Sequence, residues 1–181
     1  MTYEKTVLLK NGAACVIRAA SGADAEAVID CFNVTRRETD FMMTYPGERN
    51  IEVEPERAFL DGRLADPRAA FLCAEVDGQI VGTAGIDPIG HWEKLRHRVS
   101  FGIGVKRDWW GLGIGRALTE SCIDCAKAAG YSQMELEVLA VNTAALSLYR
   151  SCSFTEYGRN ERGFWMRDGS YRALILMKRD L

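Results

Sequence analysis

The chain lacks two features that would assign it to common classes of protein. None of its apolar runs approaches the ~20 residues that a membrane-spanning helix requires. Basic residues are not in excess, because 23 lysines and arginines against 25 aspartates and glutamates give a net charge of −2. Proteins that bind nucleic acid usually carry a clear basic excess. We therefore expect neither a membrane nor a nucleic acid as a partner.

Histidine is scarce, and the cysteines do not form a metal-binding pattern. His91 and His97 are the two histidines of the chain, too few and too loosely placed to be metal ligands. Cys122 and Cys125 have C-x-x-C spacing, but no second pair completes a zinc site, and both fall on the apolar stripe of a predicted helix. Free cysteine packs as a small hydrophobe. We predict buried, reduced thiols and no metal site.

The length and composition are those of one globular domain. The chain has 181 residues, of which 48% are hydrophobic and 27% charged, enough to bury a sizeable core. No repeat, low-complexity segment or linker divides it. The first residues, Met1–Lys5, lack the basic stretch and apolar run of a secretory signal. We expect a single domain over residues 1–181 and a cytoplasmic location.

Periodicity and turn residues predict a mixed α/β sheet of about seven strands with four helices. Asp77-Gly78 and Asp168-Gly169 predict two hairpin turns. A strand–helix–strand crossover lies between the hairpins. The predicted strands are Ala14–Ala19, Ala69–Val76, Gln79–Ile86, Arg98–Val105, Met134–Val141, Phe154–Gly163 and Ser170–Met177. The helices lie behind Ser21–Asp24, from Pro55, at about Leu112–Ala129 and at Thr143–Ser151.

A glycine-rich turn, Gly111 to Arg116, follows one strand and opens a helix. The first N–H groups of a helix have no internal partner and its dipole is positive there, so glycines let a phosphate approach these donors. A P-loop is excluded because no Lys-Ser/Thr pair follows, and the spacing is not that of a dinucleotide fingerprint. A flexible, closely packed turn is the alternative. Taken alone, the turn predicts an anion site.

With its downstream residues, the turn closely resembles the pyrophosphate-binding motif of the GCN5-related N-acetyltransferases. That motif reads Arg/Gln-x-x-Gly-x-Gly/Ala, and Trp110 holds its first position here. The resemblance covers about residues 16–179 and implies this family's mixed sheet, with a central β-α-β crossover that binds the cofactor. Further residues resemble the family's second conserved block, in which Ser153 replaces a glycine: Leu136-Glu137-Val138, Asn142, Ala145, Leu148-Tyr149 and Phe154.

The resemblance implies that acetyl-CoA is the co-substrate and that its acetyl group passes directly to a primary amine in a ternary complex. The turn would hold the pyrophosphate, and the preceding strand would pair with the pantetheine arm and polarise the thioester carbonyl. For Asn142, a plain helix cap is the alternative. The residues implied to bind acetyl-CoA are Ile103, Gly104, Val105, Gly111, Leu112, Gly113, Ile114, Gly115, Arg116 and Asn142.

Two residues are the candidates for proton transfer. An ammonium group has a pKa near ~10 and must lose a proton before it attacks. Glu137 matches the base of one branch of the family and would act directly or through water; alternatively it simply faces solvent, as Glu135 would. Tyr149 is the candidate acid for the leaving thiolate. Its alternative is a packed helical tyrosine.

The sequence says least about which amine accepts the acetyl group and which residues bind it. Phe41, Tyr45 and Trp165 would wall an apolar pocket and Glu48 would attract an ammonium group, although packing in the core or loops is the commoner role of aromatic residues. The segment around Phe41 resembles a bacterial branch of the family that acts on small-molecule amines. The alternatives are an acetyltransferase acting on a protein N-terminus or lysine, and a non-catalytic acetyl-CoA-binding regulatory module. Dimers are frequent in the family, which implies a homodimer.

Overall fold

A computed structural model describes residues 1–181 as one eight-stranded sheet in the order β1-β2-β3-β4-β5-β6-β8-β7. Neighbouring strands are antiparallel except β5 and β6, which are parallel and joined by the helical crossover. The strands are β1 (Glu4–Leu8), β2 (Ala14–Ala19), β3 (Ala70–Val76), β4 (Gln79–Pro88), β5 (Arg98–Val105), β6 (Gln133–Leu139), β7 (Thr155–Trp165) and β8 (Tyr171–Asp180).

Helices cover both faces of the sheet. The larger core contains residues of α3 and α4, and a smaller core contains residues of α1 and α2. No helix is both long and apolar enough to cross a membrane. The helices are α1 (Ala25–Glu38), α2 (Val53–Ala65), α3 (Ile114–Ala128) and α4 (Thr143–Ser151).

The structure confirms the mixed α/β fold and adds one strand to the predicted seven. Strand β1 lies at the edge of the sheet, paired only with β2. Its residues are mostly exposed, so it lacks the alternation of apolar and polar residues that reveals a half-buried strand. The prediction for the cysteines is also confirmed, since all six are buried and unpaired.

Strands β5 and β6 separate part of the way along their length. They pair only from Arg98 to Ser100 on β5 and from Gln133 to Glu135 on β6. Beyond that point β5 stays paired with β4 as far as Val105, and β6 stays paired with β8. A gap therefore opens in the middle of the sheet, with a complete strand on each side.

An ion pair holds the two strands together where the gap begins. The Arg98 guanidinium donates to the Glu135 carboxylate, with Nη2 and Oε2 2.8 Å apart. Gln133 and the hydroxyl of Tyr157 donate to the same carboxylate, at 2.7 and 3.1 Å. The hydrogen bonds from Arg98 lower the pKa of Glu135, against a smaller opposing effect of burial.

We expect Glu135→Gln to lower the free energy of unfolding at pH 7 by about 2 kcal/mol, because charge-assisted hydrogen bonds of a largely buried group are lost. The folded-state pKa of Glu135 lies below its unfolded value of ~4.3. Its contribution is therefore complete above that pH and disappears as the pH falls through the folded-state pKa. Urea unfolding of both proteins at pH 7 and pH 3 measures the difference.

Glu161→Gln is the matched control. Glu161 pairs with Arg159 at 2.7 Å, but its side chain is 72% exposed, against 9% for Glu135. An exposed pair contributes little, so this variant should change the free energy of unfolding by less than about 1 kcal/mol. Equal losses from the two substitutions would show that Glu135 does not clamp the strands.

Candidate active site

The glycine turn forms an open cradle of N–H groups at the start of α3. Gly111 and Gly113 have φ angles of 76° and 105°, in the region that favours glycine. A Cβ at either position would meet no atom within 4 Å, so the space beside the turn is free. The first N–H groups of α3 have no helical partner, and no side chain caps Gly113. These donors suit an anion such as a pyrophosphate.

Two long side chains beside the cradle have partners of their own. The guanidinium of Arg116 donates to the hydroxyl of Ser151 on α4 at 2.8 Å. The Trp110 indole N–H donates to the carbonyl of Val105 at 2.7 Å. Trp110 thus fixes the turn against the end of β5, which is a side-chain role at the position where the family motif has arginine or glutamine.

The edge of β5 that faces the gap carries free backbone groups. The carbonyl of Arg98 and the N–H of Lys106 both bond to the β4 side of the strand. Along an antiparallel pair, successive residues alternately direct their backbone N–H and C=O groups toward and away from the partner strand. Even-numbered residues of β5 therefore bond to β4, and odd-numbered residues face away from it. The carbonyl of Phe101, both backbone groups of Ile103 and the N–H of Val105 therefore face the gap without a partner, whereas the N–H of Phe101 belongs to the last pairing with β6 and the carbonyl of Val105 accepts the Trp110 indole N–H.

This alternation refines the predicted binding segment. Ile103 and Val105 face the gap, whereas the backbone groups of Gly104 face β4. Phe101 joins the gap edge, although the sequence prediction did not include it. The period-two alternation of a strand was available as a signal, but which parity faces the gap depends on the pairing with β4.

Tyr149 lies on the α3 and α4 side of the gap. It is 7% exposed, and its ring packs edge-on against Phe101, with centroids 6.2 Å apart, and at a tilt of 60° against Phe154, with centroids 5.9 Å apart. Its hydroxyl has no hydrogen-bond partner in the protein. Burial raises the pKa of Tyr149, and Cys152 adds to the effect. The phenol is therefore protonated at neutral pH, and no other group of the protein engages its hydroxyl.

Asn142 lies at the turn between β6 and α4. Its side-chain oxygen accepts a hydrogen bond from the N–H of Ala145 at 3.1 Å, so it caps α4. The cap uses only the oxygen of the amide, and the amide nitrogen has no partner in the protein. The structure therefore combines the helix-cap role with an available donor at the end of the gap.

The two glutamates of β6 have different surroundings. Glu135 is buried among its three donors. Glu137 is exposed, forms no ion pair, and lines a cleft on the α1 and α2 face of the sheet. Glu137 is thus the glutamate that remains available for a ligand, and it lies on the opposite face of the sheet from Tyr149.

The cleft beside Glu137 has a volume of about 420 Å³. It lies between β6, the β7–β8 hairpin and the loop that joins α1 to α2. Asp40 adds a second carboxylate, and Met43 and Trp165 at the rim are 82% and 73% exposed. The remaining lining residues are Met42, Tyr45, Asn160, Gly163, Phe164, Met166 and Leu174.

Two of the four predicted acceptor residues line this cleft. Tyr45 and Trp165 belong to the lining, and the hydroxyl of Tyr45 accepts a hydrogen bond from the N–H of Arg167 at 3.2 Å. Phe41 is not part of the lining. The carboxylate of Glu48 accepts a hydrogen bond from the N–H of Tyr45 at 3.0 Å and so stabilises the loop. Sequence reasoning did not identify Asp40 or the methionines, because their placement depends on how the loop folds.

Known proteins resemble this chain in sequence. The family model described as acetyltransferase (GNAT) family matches residues 35–154. The N-alpha-acetyltransferase RimI of Mycobacterium tuberculosis is 37% identical over 108 residues, which cover 60% of this chain and 65% of that protein. The match therefore spans slightly less than two thirds of the relative's length.

Solved structures resemble the whole sheet. A GNAT-family acetyltransferase from Streptococcus pneumoniae has a TM-score of 0.88 and 27% identity, covering 92% of this chain and 99% of that one. The yncA protein of Salmonella typhimurium, solved with its cofactor acetyl-CoA, has a TM-score of 0.81 at 23% identity and covers 92% and 94% of the two chains. At 23% identity, the similarity to the yncA protein shows a shared fold only.

The family model covers the gap, the glycine turn, Glu137 and Tyr149, and the structural likeness extends over nearly the whole chain. The similarity confirms the acetyltransferase class that the sequence motifs predicted. The chain belongs to the acetyltransferase (GNAT) family.

Proposed function

We propose that this protein transfers the acetyl group of acetyl-CoA to the primary amine of a small molecule. One observation carries the proposal: the free edge of β5 runs from the N-terminal cradle of α3 to a point between Tyr149 and Glu137, which lie on opposite faces of the sheet. A thioester held along that edge would have an acid on one side and a carboxylate on the other.

Backbone donors hold the acetyl-CoA in this proposal. The N–H groups of Ile114, Gly115 and Arg116 receive the pyrophosphate, where the helix dipole also favours negative charge. The amide groups of the pantetheine arm pair with the free backbone groups of this edge, which are the carbonyl of Phe101 and both groups of Ile103. A solved structure of the same fold holds acetyl-CoA as its cofactor, which supports acetyl-CoA as the co-substrate.

The side chains then move two protons. Glu137 accepts a proton from the ammonium of the acceptor, directly or through water, and the neutral amine attacks the thioester carbon. The C–N bond forms and the C–S bond breaks, while a backbone N–H of β5 stabilises the oxyanion. Tyr149 donates its proton to the departing thiolate of CoA. The attacking nitrogen loses its second proton to water as the amide forms, and Tyr149 regains a proton from solvent.

The cleft supports a small, cationic acceptor. Its volume of about 420 Å³ is typical of small-molecule sites. Asp40 and Glu137 attract an ammonium group, and the exposed ring of Trp165 offers a cation–π contact, whereas the ring of Tyr45 is covered by the guanidinium of Arg167 at 4.1 Å. An α-amine at a protein N-terminus is the second candidate, favoured by the similarity to an N-alpha-acetyltransferase and by the exposed rim.

A cytoplasmic location belongs to the same proposal. The six cysteines are unpaired and buried, which suits a reducing compartment. The homodimer implied by the family resemblance stays a prediction.

Gly113→Asp should weaken acetyl-CoA binding at least tenfold more than Gly113→Asn, because only the aspartate places negative charge beside the pyrophosphate. The two side chains have the same size and meet the same left-handed backbone, so strain at φ 105° is common to both. Isothermal titration calorimetry of both variants at low salt gives the ratio. Equal affinities would mean that the pyrophosphate does not bind at the turn.

Tyr149→Phe should lower kcat by about 100-fold, the scale of general acid catalysis, with little change in the affinity for acetyl-CoA. The substitution keeps the ring contacts with Phe101 and Phe154, and the hydroxyl has no partner in the protein to lose. Steady-state kinetics and calorimetry measure the two effects, and thermal unfolding checks the fold. Unchanged kcat would remove Tyr149 from the mechanism.

The protein should release the thiol of CoA from acetyl-CoA when it is supplied with the right class of acceptor. A thiol-release assay against a panel of amino acids, polyamines, amino sugars and peptides measures this. On the best acceptor, Glu137→Gln should lower kcat/KM at pH 7 by at least tenfold. The defect should shrink as the pH rises toward ~10, where the amine loses its proton without help. A pH-independent defect would point to another base, and no thiol release from any acceptor would contradict the proposed function.

A further inference from the structure

A second pocket lies on the same face of the sheet as the acceptor cleft, but on the other side of the gap. It has a volume of about 220 Å³ and lies between α1, α2 and the strands β3 to β5. Phe32 and Phe59 both pack on Phe71, with ring centroids 6.2 and 5.9 Å apart. These rings give the pocket an apolar wall opposite its floor of strands.

The pocket adjoins the edge of β5 where the thioester would lie. Ile103 and Gly104 are part of its lining, and Ile103 also directs its N–H and C=O groups into the gap. Met42 lines both this pocket and the acceptor cleft. An acyl carbon held at Ile103 would therefore have the acidic cleft on one side and the apolar pocket on the other.

The two cavities differ in the charge that they offer. Asp40 and Glu137 in the cleft are free to attract an ammonium group. The carboxylate in the pocket is that of Asp87; it lies beside the guanidinium of Arg63, and burial raises its pKa. The pocket thus suits an uncharged hydrocarbon group.

We propose that this cavity, the acyl pocket, receives the acyl tail of CoA thioesters longer than acetyl, so that the protein also transfers propionyl and butyryl groups. The inference rests on the proposed acetyltransferase function. Its volume corresponds to about seven water molecules at ~30 Å³ each, enough for a four-carbon chain. The step is unchanged: the amine nitrogen bonds to the acyl carbon, the C–S bond breaks, and CoA leaves as the thiol.

Gly102→Val is the variant that tests the acyl pocket. A Cβ at Gly102 would meet nothing within 4 Å, and its φ lies outside the left-handed region. Valine is favoured in strands, so the protein should fold while the added methyl groups occupy the pocket. Ser100→Val is the control, since Ser100 lies on the same face two residues earlier, outside the pocket.

Calorimetry without acceptor and steady-state kinetics with it supply the two readouts. Each buried methylene adds about fourfold in affinity, so with two more methylenes butyryl-CoA should bind to the original protein about 15-fold more tightly than acetyl-CoA. Gly102→Val should lower the ratio of butyryl to acetyl affinity, and of the corresponding kcat/KM values, at least tenfold. Ser100→Val should leave both ratios unchanged.

Three outcomes would overturn the inference. The original protein could reject butyryl-CoA while using acetyl-CoA, or Gly102→Val could leave both ratios unchanged. Gly102→Val could also raise only the KM of the amine, which would assign the pocket to the acceptor. If acetyl-CoA itself neither binds nor reacts, the proposed function fails instead, and the two failures are thus distinguished.

Discussion

Strands β5 and β6 can separate inside a continuous sheet because each remains hydrogen-bonded to another neighbour. Strand β4 satisfies one edge of β5, and β8 satisfies one edge of β6. Each separated strand therefore loses partners on only one side, and the free groups face solvent rather than a dry core. An unpaired backbone group is costly only where water cannot reach it. The gap therefore destabilises the fold little, and its unpaired backbone groups can hydrogen-bond to a ligand that contains amides.

The ion pair of Arg98 with Glu135 gives this gap a fixed starting point. Without a clamp, a parallel pair three residues long would have little to define where pairing ends. Glu135 and Glu137 are both glutamates and lie on the same face of β6, two residues apart. The carboxylate of Glu135 is bonded to Arg98 and has a structural role, whereas the carboxylate of Glu137 lines the cleft and is available for chemistry.

Much of this architecture could be predicted from the sequence. The bounds of β5 and α4 and the hairpin at Asp77-Gly78 follow from local turn chemistry and periodicity, which operate within a few residues. Strand β1 was not predicted, because an exposed edge strand needs no apolar pattern. Which residues of β5 face β4 and which face the gap was not predicted either, because this depends on how β5 pairs with another strand.

The acceptor cleft was the least predictable part for a related reason. Its walls come from the α1–α2 loop and the β7–β8 hairpin, segments more than 100 residues apart that meet only in the folded chain. Tyr45 and Trp165 were identified as aromatic residues in plausible segments. Glu48 was also acidic and nearby, yet its carboxylate is used to hold the backbone of the loop, which no residue-type argument distinguishes from ligand attraction.

The buried cysteines have a chemical consequence for a protein whose reaction would release a thiol. Burial raises the pKa of Cys152, which lies three residues after Tyr149, and that of Cys125 to about 11. Thiol–disulfide exchange proceeds through an accessible thiolate, and these side chains provide neither accessibility nor charge. Oxidised CoA would therefore find no accessible cysteine on the folded protein with which to form a mixed disulfide.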